Sequence, residues 1–281
     1  MYSFSFHQNP YWTRFWAKQE EILAYINGVS QYYDINPHIK YNIECVAANW
    51  NNSSHRWNVE FINQLTGERF SKSCKFFVGA GGVLSNPKDC PIPGKEDFKG
   101  PVFHSAEWRQ DVDLKGKNIV LLGNGCSATQ IMPVISQDAK HVTQFIRSPH
   151  HIVPLPLPNS ERPWIIKMMC AYVPFFQWFL RICIFLYLDF DFNLFYSDGW
   201  IPKMLRSIRQ KISLNHIKKN APPKYLDMLL PDFDFGSKRR VLDTDYLKCL
   251  HQDNVTLTNE RAIRITKNGI RLFHIETNHY Y

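Results

Sequence analysis

Residues 117 to 131 read KNIVLLGNGCSATQI, and three small residues in that run stand at the spacing G-x-G-x-x-A: Gly123, Gly125 and Ala128. The chemistry open to such a run is the cradling of a pyrophosphate. A glycine at 123 permits a tight turn out of a strand. A glycine at 125 lets the backbone approach the phosphates, and alanine at 128 lets a helix pack closely on the sheet. The helix that follows would aim its free N–H groups and the positive end of its dipole at the anion. Asn124, Cys126 and Ser127, with Thr129 and Gln130 in the first helical turn, complete the candidate cradle.

A second group of residues bears on which dinucleotide is held. In NAD-binding folds an acidic residue stands about 20 positions beyond the turn and takes the ribose hydroxyls. Here the corresponding place, in FIRSP, holds Arg147 followed by Ser148. A guanidinium suits the dianionic 2′-phosphate of NADP, so the expected cofactor is NADP. Lys238, Arg239 and Arg240 form the one cationic run in the chain. On spacing alone they read as a solvated charge run.

These residues need particular elements to position them. Asn118 to Leu122 reads as a strand, Gly123 opens the turn, a helix runs to about Gln137, and His141 to Arg147 reads as a second strand. That is one βαβ unit of a parallel sheet. Before it, residues 12 to 33 carry helical spacing with a stop at Gly28, and residues 38 to 69 alternate in short bursts like a β-meander. CKFFVGAGGVLS, residues 74 to 85, reads as a buried strand running into a glycine turn, and the proline-rich segment Pro87 to Pro93 suits a crossing between domains. Residues 157 to 230 read as mostly helical with proline breaks, and from Lys238 onward the short strand-like runs VTLTN, AIRIT and IRLFHI follow.

Composition narrows the class. Hydrophobic residues make up 44% of the 281 and charged residues 21%, a globular balance. The net charge of +8 is spread along the chain, with no zinc-finger spacing and no recognisable nucleic-acid module. A nucleic-acid partner is therefore not expected, and an anionic cofactor accounts for part of the surplus. Seven cysteines without a C-x-x-C pair argue against a disulfide framework and for a reducing compartment. The opening MYSFSFHQNPYW lacks a signal-peptide pattern, so the cytoplasm is the expected location. The apolar stretch from Trp164 to Leu188 is interrupted by Lys167, Pro174 and Arg181, and reads as a buried or interfacial helical pair rather than a span.

Upstream of the glycine turn stands FKGPVFHSAEW, with Phe98, Gly100, His104 and Trp108 at the spacing F-x-G-x-x-x-H-x-x-x-W. This resembles the fingerprint of Baeyer–Villiger monooxygenases. YSFSF, GGVLSNPKDCPIPG and GSKRRVLDTDYLKCLHQDNVTL are similar to the same family in order and spacing. Arg109 departs from the proline or aspartate usual after the tryptophan.

The resemblance implies an α/β fold with two dinucleotide-binding, Rossmann-like domains, the FAD one incomplete, and a helical insert. Residues 1–97 would be a partial FAD-binding domain and linker, 98–156 and 237–281 the NADP-binding domain, and 157–236 the insert. It implies FAD and NADP as cofactors and insertion of oxygen beside a ketone, giving an ester or lactone, in secondary metabolism. Arg239 maps onto the family's catalytic arginine, which steadies an anionic oxygen species. Lys238 maps onto an assistant to Arg147 at the 2′-phosphate, and Cys45 onto a backbone contact with the adenine of FAD. His104 is implied to couple domain movement to cofactor state rather than to act as a base. The family's first G-x-G-x-x-G turn would lie before YSFSF. Its absence leaves three other readings open: a catalytically inactive NADP-binding remnant, an N- or S-oxygenating relative, and a membrane-surface protein using residues 164–188.

Overall fold

The computed structural model describes residues 2–82, 84–156 and 159–272, the side chains of 193–196 excepted. The described chain divides into two compact units: one contains residues 1–86 and 161–172, the other 87–160 and 173–281.

In the first unit, α1 (Gln19–Tyr32) carries Glu20 and Glu21 in its first turn, where acidic groups complement the helix dipole. An aromatic group gathers around Tyr25, whose hydroxyl accepts from Phe4 N–H at 2.8 Å and whose ring lies 5.3 Å from that of buried Trp12. Gly28 does not stop the helix. A glycine inside a helix costs only about 1 kcal/mol relative to alanine, and the neighbouring Val29 is buried. The stop comes at Asp34, which takes the left-handed conformation just past the C-cap Tyr33. The alternating region forms an antiparallel sheet of β1 (Ile43–Asn51), β2 (Arg56–Asn63) and β3 (Arg69–Cys74), in the order β1-β2-β3. This is the expected meander. The buried strand expected ahead of the glycines in 74–85 is not formed: β3 ends at Cys74, and Phe76 and Val78 are more than 80% exposed. An apolar strand of that kind is stable only between neighbouring strands, and none among the described residues pairs with it.

The second unit holds the βαβ pattern. β4 (Asn118–Leu122) leads into α2 (Cys126–Asp138), which returns to β5 (His141–Phe145), two residues shorter than expected. β5 pairs parallel with β4, residue for residue from Asn118↔His141 to Leu122↔Phe145. After it come β6 (Ile152–Pro154), α3 (Trp164–Tyr172, grouped with the first unit), α4 (Phe176–Tyr196), α5 (Trp200–Asn220) and α6 (Leu226–Leu229). β7 (Val241–Asp243), α7 (Tyr246–Cys249), β8 (Val255–Thr258), β9 (Ala262–Thr266) and β10 (Gly269–Leu272) close the described chain. β8 adds to the far edge of β5, giving a parallel sheet in the order β4-β5-β8, and β7 pairs parallel with β6. The end of IRLFHI lies outside the described residues.

One core lies on the helical face of this sheet. Met132 and Ile135 of α2 meet Val142 of β5 and Val255 and Leu257 of β8, together with Tyr246, Leu247 and Leu250. Ile217 and Ala221 at the end of α5, with Tyr225 and Leu229, enter the same core, so the last part of the helical segment is built into the sheet's own packing. A second cluster joins Phe145, Ile265, Ile270 and Leu272, with Phe98, Cys90 and Ile92 packed against it. The proline-rich segment thus docks on the β9–β10 hairpin. Gly94 is required there: its φ is +88°, and a Cβ would stand 2.2 Å from the Ile265 carbonyl oxygen. No single helix among the described residues is long and apolar enough to cross a membrane.

Candidate dinucleotide-binding site

The turn between β4 and α2 is set by Gly123, whose φ of +100° is open to glycine at little cost. Its N–H donates to the Phe145 carbonyl at 2.8 Å, which ties the turn to β5. Gly125 is the N-cap of α2. The first intrahelical bond in this turn runs from Thr129 N–H to the Gly125 carbonyl at 3.1 Å. The N–H groups of Cys126, Ser127 and Ala128 are therefore left over at the helix start. A Cβ at Gly123 or Gly125 would meet nothing within 4 Å, so the space before the turn is open. Ala128 is buried.

The turn is joined to the loop after β5 and to the cationic run. Asn124 Nδ2 donates to the Ser148 carbonyl at 2.8 Å, and Lys238 Nζ donates to Ser148 Oγ at 3.1 Å. Lys238 also lies 4.3 Å from the centroid of the Phe233 ring. The Cys126 thiol reaches the Arg240 carbonyl at 3.8 Å. Arg147, adjacent to Ser148, is exposed. The structure therefore brings Gly123 to Ala128, Ser148 and Lys238 together, with Arg147 at their edge.

Two predicted residues serve the turn from behind. The Thr129 hydroxyl is buried and donates to the Cys126 carbonyl at 3.1 Å, and Gln130 Nε2 donates to the same carbonyl at 2.9 Å. Both side chains thus bond to the backbone of the first helical turn.

Burial disfavours the charged form of two nearby histidines. Burial lowers the pKa of His150, whose ring hydrogen-bonds to the backbone of Arg239. Burial also lowers that of His151, whose Nε2 is 2.9 Å from the Phe233 carbonyl. Arg239 itself is exposed, whereas the Arg240 guanidinium pairs with the buried carboxylate of Asp191, which Arg209 also meets.

A strand–turn–helix of this form, with Lys238 joined to it through Ser148 and Asn124, suits an anionic group. Residues 1–183 match the family described as flavin-binding monooxygenase-like. The chain belongs to the flavin-binding monooxygenase-like family. It is 33% identical to the FAD-binding monooxygenase BOA2 of Botryotinia fuckeliana, over 98% of this chain and 51% of that protein. It is 31% identical to a Baeyer–Villiger monooxygenase of Streptomyces coelicolor, over 91% of this chain and 47% of the relative. The fold is similar to that of a Rhodococcus cyclohexanone monooxygenase solved with NADP+ bound. The TM-score is 0.78 and the identity 20%, over 99% of this chain and 58% of that one. The chain spans about half the length of the curated relatives it matches.

The resemblance to Baeyer–Villiger monooxygenases drawn from the sequence is borne out by these relatives, as is the α/β fold with a parallel sheet. Within this family member the fingerprint residues have structural places. Phe98 packs in the second hydrophobic cluster. His104 Nδ1 accepts from Ala106 N–H at 3.1 Å and so caps the short turn Ser105–Glu107. Trp108 is half-exposed, with its ring edge-on to Phe103 at 5.4 Å. Cys45 is exposed on β1, at a register shift, and belongs to the first unit.

Sequence reasoning missed Gln144 and Tyr246. Both are fully buried, and both bear on the turn: Tyr246 Oη donates to Gln144 Oε1 at 2.8 Å, and Gln144 Nε2 donates to the Gly123 carbonyl at 2.8 Å. A glutamine inside HVTQFI, a strand otherwise rich in apolar residues, was the available signal.

Proposed function

We propose that this chain binds NADPH at the Gly123–Ala128 turn and forms part of an FAD- and NADPH-dependent monooxygenase. That enzyme inserts oxygen beside a ketone to give an ester or lactone, with secondary metabolism as its setting. The observation that carries the reading is the chain of contacts Asn124–Ser148–Lys238 at an open glycine turn, with Arg147 beside it. The free N–H groups at the start of α2 hold the pyrophosphate. Arg147 and Lys238 take the 2′-phosphate, where a planar guanidinium gives directed, charge-assisted hydrogen bonds. When bound, NADPH and flavin would supply the hydride transfer and oxygen activation, chemistry that belongs to the cofactors. Arg239, exposed next to Lys238, would offer a fixed cation to negative charge developing on bound flavin, and the backbone at Cys45 would meet the flavin adenine. In this scheme residues 98–156 and 237–281 are the NADP-binding domain, 1–97 belong to the flavin domain and linker, and 157–236 shape the substrate pocket.

The test is cofactor preference. Titration of the purified chain with NADPH and NADH should show tighter binding of NADPH. Arg147→Ala should weaken NADPH by about 1.5–3 kcal/mol, the worth of a hydrogen bond to a charged group, and leave NADH nearly unchanged. Equal weakening of both would remove Arg147 from the 2′-phosphate.

A further inference from the structure

We propose that Gln144 and Tyr246 are positioning residues for the dinucleotide turn, holding the Gly123 carbonyl so that the N–H groups behind it stay aimed at the pyrophosphate. The inference rests on the NADPH reading above and adds to it two residues that no part of the turn's sequence pattern contains.

The geometry fixes the roles of each atom. The Gly123 carbonyl can only accept, so the amide nitrogen of Gln144 must face it, at 2.8 Å. That leaves Gln144 Oε1 as an acceptor, and the Tyr246 hydroxyl donates to it at 2.8 Å. Both side chains are 0% exposed, so water does not compete for either bond. Burial raises the Tyr246 pKa, which keeps the phenol protonated and donating at any working pH. The Gly123 N–H is held separately by the Phe145 carbonyl at 2.8 Å. Both polar groups of the left-handed glycine are thus fastened to β5, one by backbone and one by the Gln144 side chain.

The far end of the relay is anchored as well. Tyr246 opens α7, and its N–H donates to Asp243 Oδ1 at 2.9 Å. The other carboxylate oxygen of Asp243 lies 2.7 Å from His216 Nε2 on α5. The relay therefore runs from the end of α5 through α7 and β5 to the turn. A turn residue at φ +100° can relax when its carbonyl is released, and a small rotation there would redirect the N–H groups of the following residues. Positioning errors of this kind act on the ligand that needs the turn and not on ligands held elsewhere.

That distinction supplies the test. NADPH spans both the turn and the cationic pair Arg147 and Lys238, whereas 2′-AMP carries the 2′-phosphate but no pyrophosphate. The full chain is titrated with each. Gln144→Glu keeps an acceptor for Tyr246 but sets a carboxylate against the Gly123 carbonyl; Tyr246→Phe removes only the hydroxyl. The expected result is an NADPH dissociation constant raised at least tenfold by Gln144→Glu and about threefold by Tyr246→Phe, with 2′-AMP binding unchanged in both. If Gln144→Glu loses 2′-AMP as well, its fold is disturbed and Tyr246→Phe decides. Parallel loss of both ligands in Tyr246→Phe, or unchanged NADPH binding in a folded variant, overturns the positioning role alone. A wild-type chain that binds neither ligand overturns the NADPH reading, and the relay falls with it.

Discussion

Two glycine-bearing turns in this chain follow apolar runs of similar character, and only one lies between a paired strand and a helix start. After KFFV come Gly79, Gly81 and Gly82; after NIVLL come Gly123 and Gly125. Gly82 and Gly123 both take positive φ, +70° and +100°, and a Cβ at either would meet no atom within 4 Å. The difference lies in what flanks them. The second run is a strand with β5 paired alongside and α2 packed over it. The first has no paired strand among the described residues, and Phe76 and Val78 are exposed at 86% and 82%. A helix start and strand ends are what arrange free N–H groups around a glycine turn, and the glycines alone do not provide them.

Breaking the packing behind the second turn should have the largest effect. Met132 is fully buried between α2 and the sheet. Met132→Ala should lower stability by about 2–5 kcal/mol, read from the urea midpoint. Next comes the turn itself. Gly123→Val forces a β-branched residue to φ +100°, a strain of about 1–3 kcal/mol. It should also abolish detectable NADPH binding in a titration. Gly82→Ala, in the first turn, should leave NADPH binding where it was. A variant at 123 that binds normally would dissolve the comparison.

A smaller effect should come from pH. Burial holds the His151 pKa below its ordinary 6.5, against the opposing pull of the hydrogen bond to the Phe233 carbonyl and of Asp234. Between the depressed folded value and 6.5 the unfolded chain binds the extra proton, so stability falls as pH drops below about 6.5 and recovers above it. His150 shifts in the same direction. Urea midpoints at pH 7.5 and 5.5 should separate more for the wild type than for His151→Gln. An identical separation would assign the pH dependence elsewhere. At the bottom of the scale, Phe76→Ser should change stability by no more than about 0.5 kcal/mol, as for other exposed positions.

The legibility of the chain follows the same contrast. The βαβ unit was readable because its determinants are local: periodicity for β4 and β5, small residues for the turn, and a helix run that ends at Asp138, one residue beyond the expected Gln137. The strand expected ahead of Gly79 does not form because burial depends on neighbours that an apolar run does not specify. Residue type suggests a stop at Gly28, whereas Asp34 ends the helix through its backbone conformation. In the site, Asn124, Ser148 and Lys238 were named from pattern and resemblance, and the contacts Asn124–Ser148 and Ser148–Lys238 join residues 24 and 90 positions apart. Gln144 and Tyr246 escaped because their meaning lies in a bond spanning 102 residues, which no local spacing encodes.

The central claim is that the second turn, not the first, holds a dinucleotide phosphate. A crystal structure of the chain with NADP+ tests it most directly. The account predicts pyrophosphate oxygens about 3 Å from the N–H groups at the start of α2, the usual hydrogen-bond distance, with the 2′-phosphate beside Arg147 and Lys238. A dinucleotide bound away from residues 123–128, or bound there with its 2′-phosphate in solvent, would contradict it.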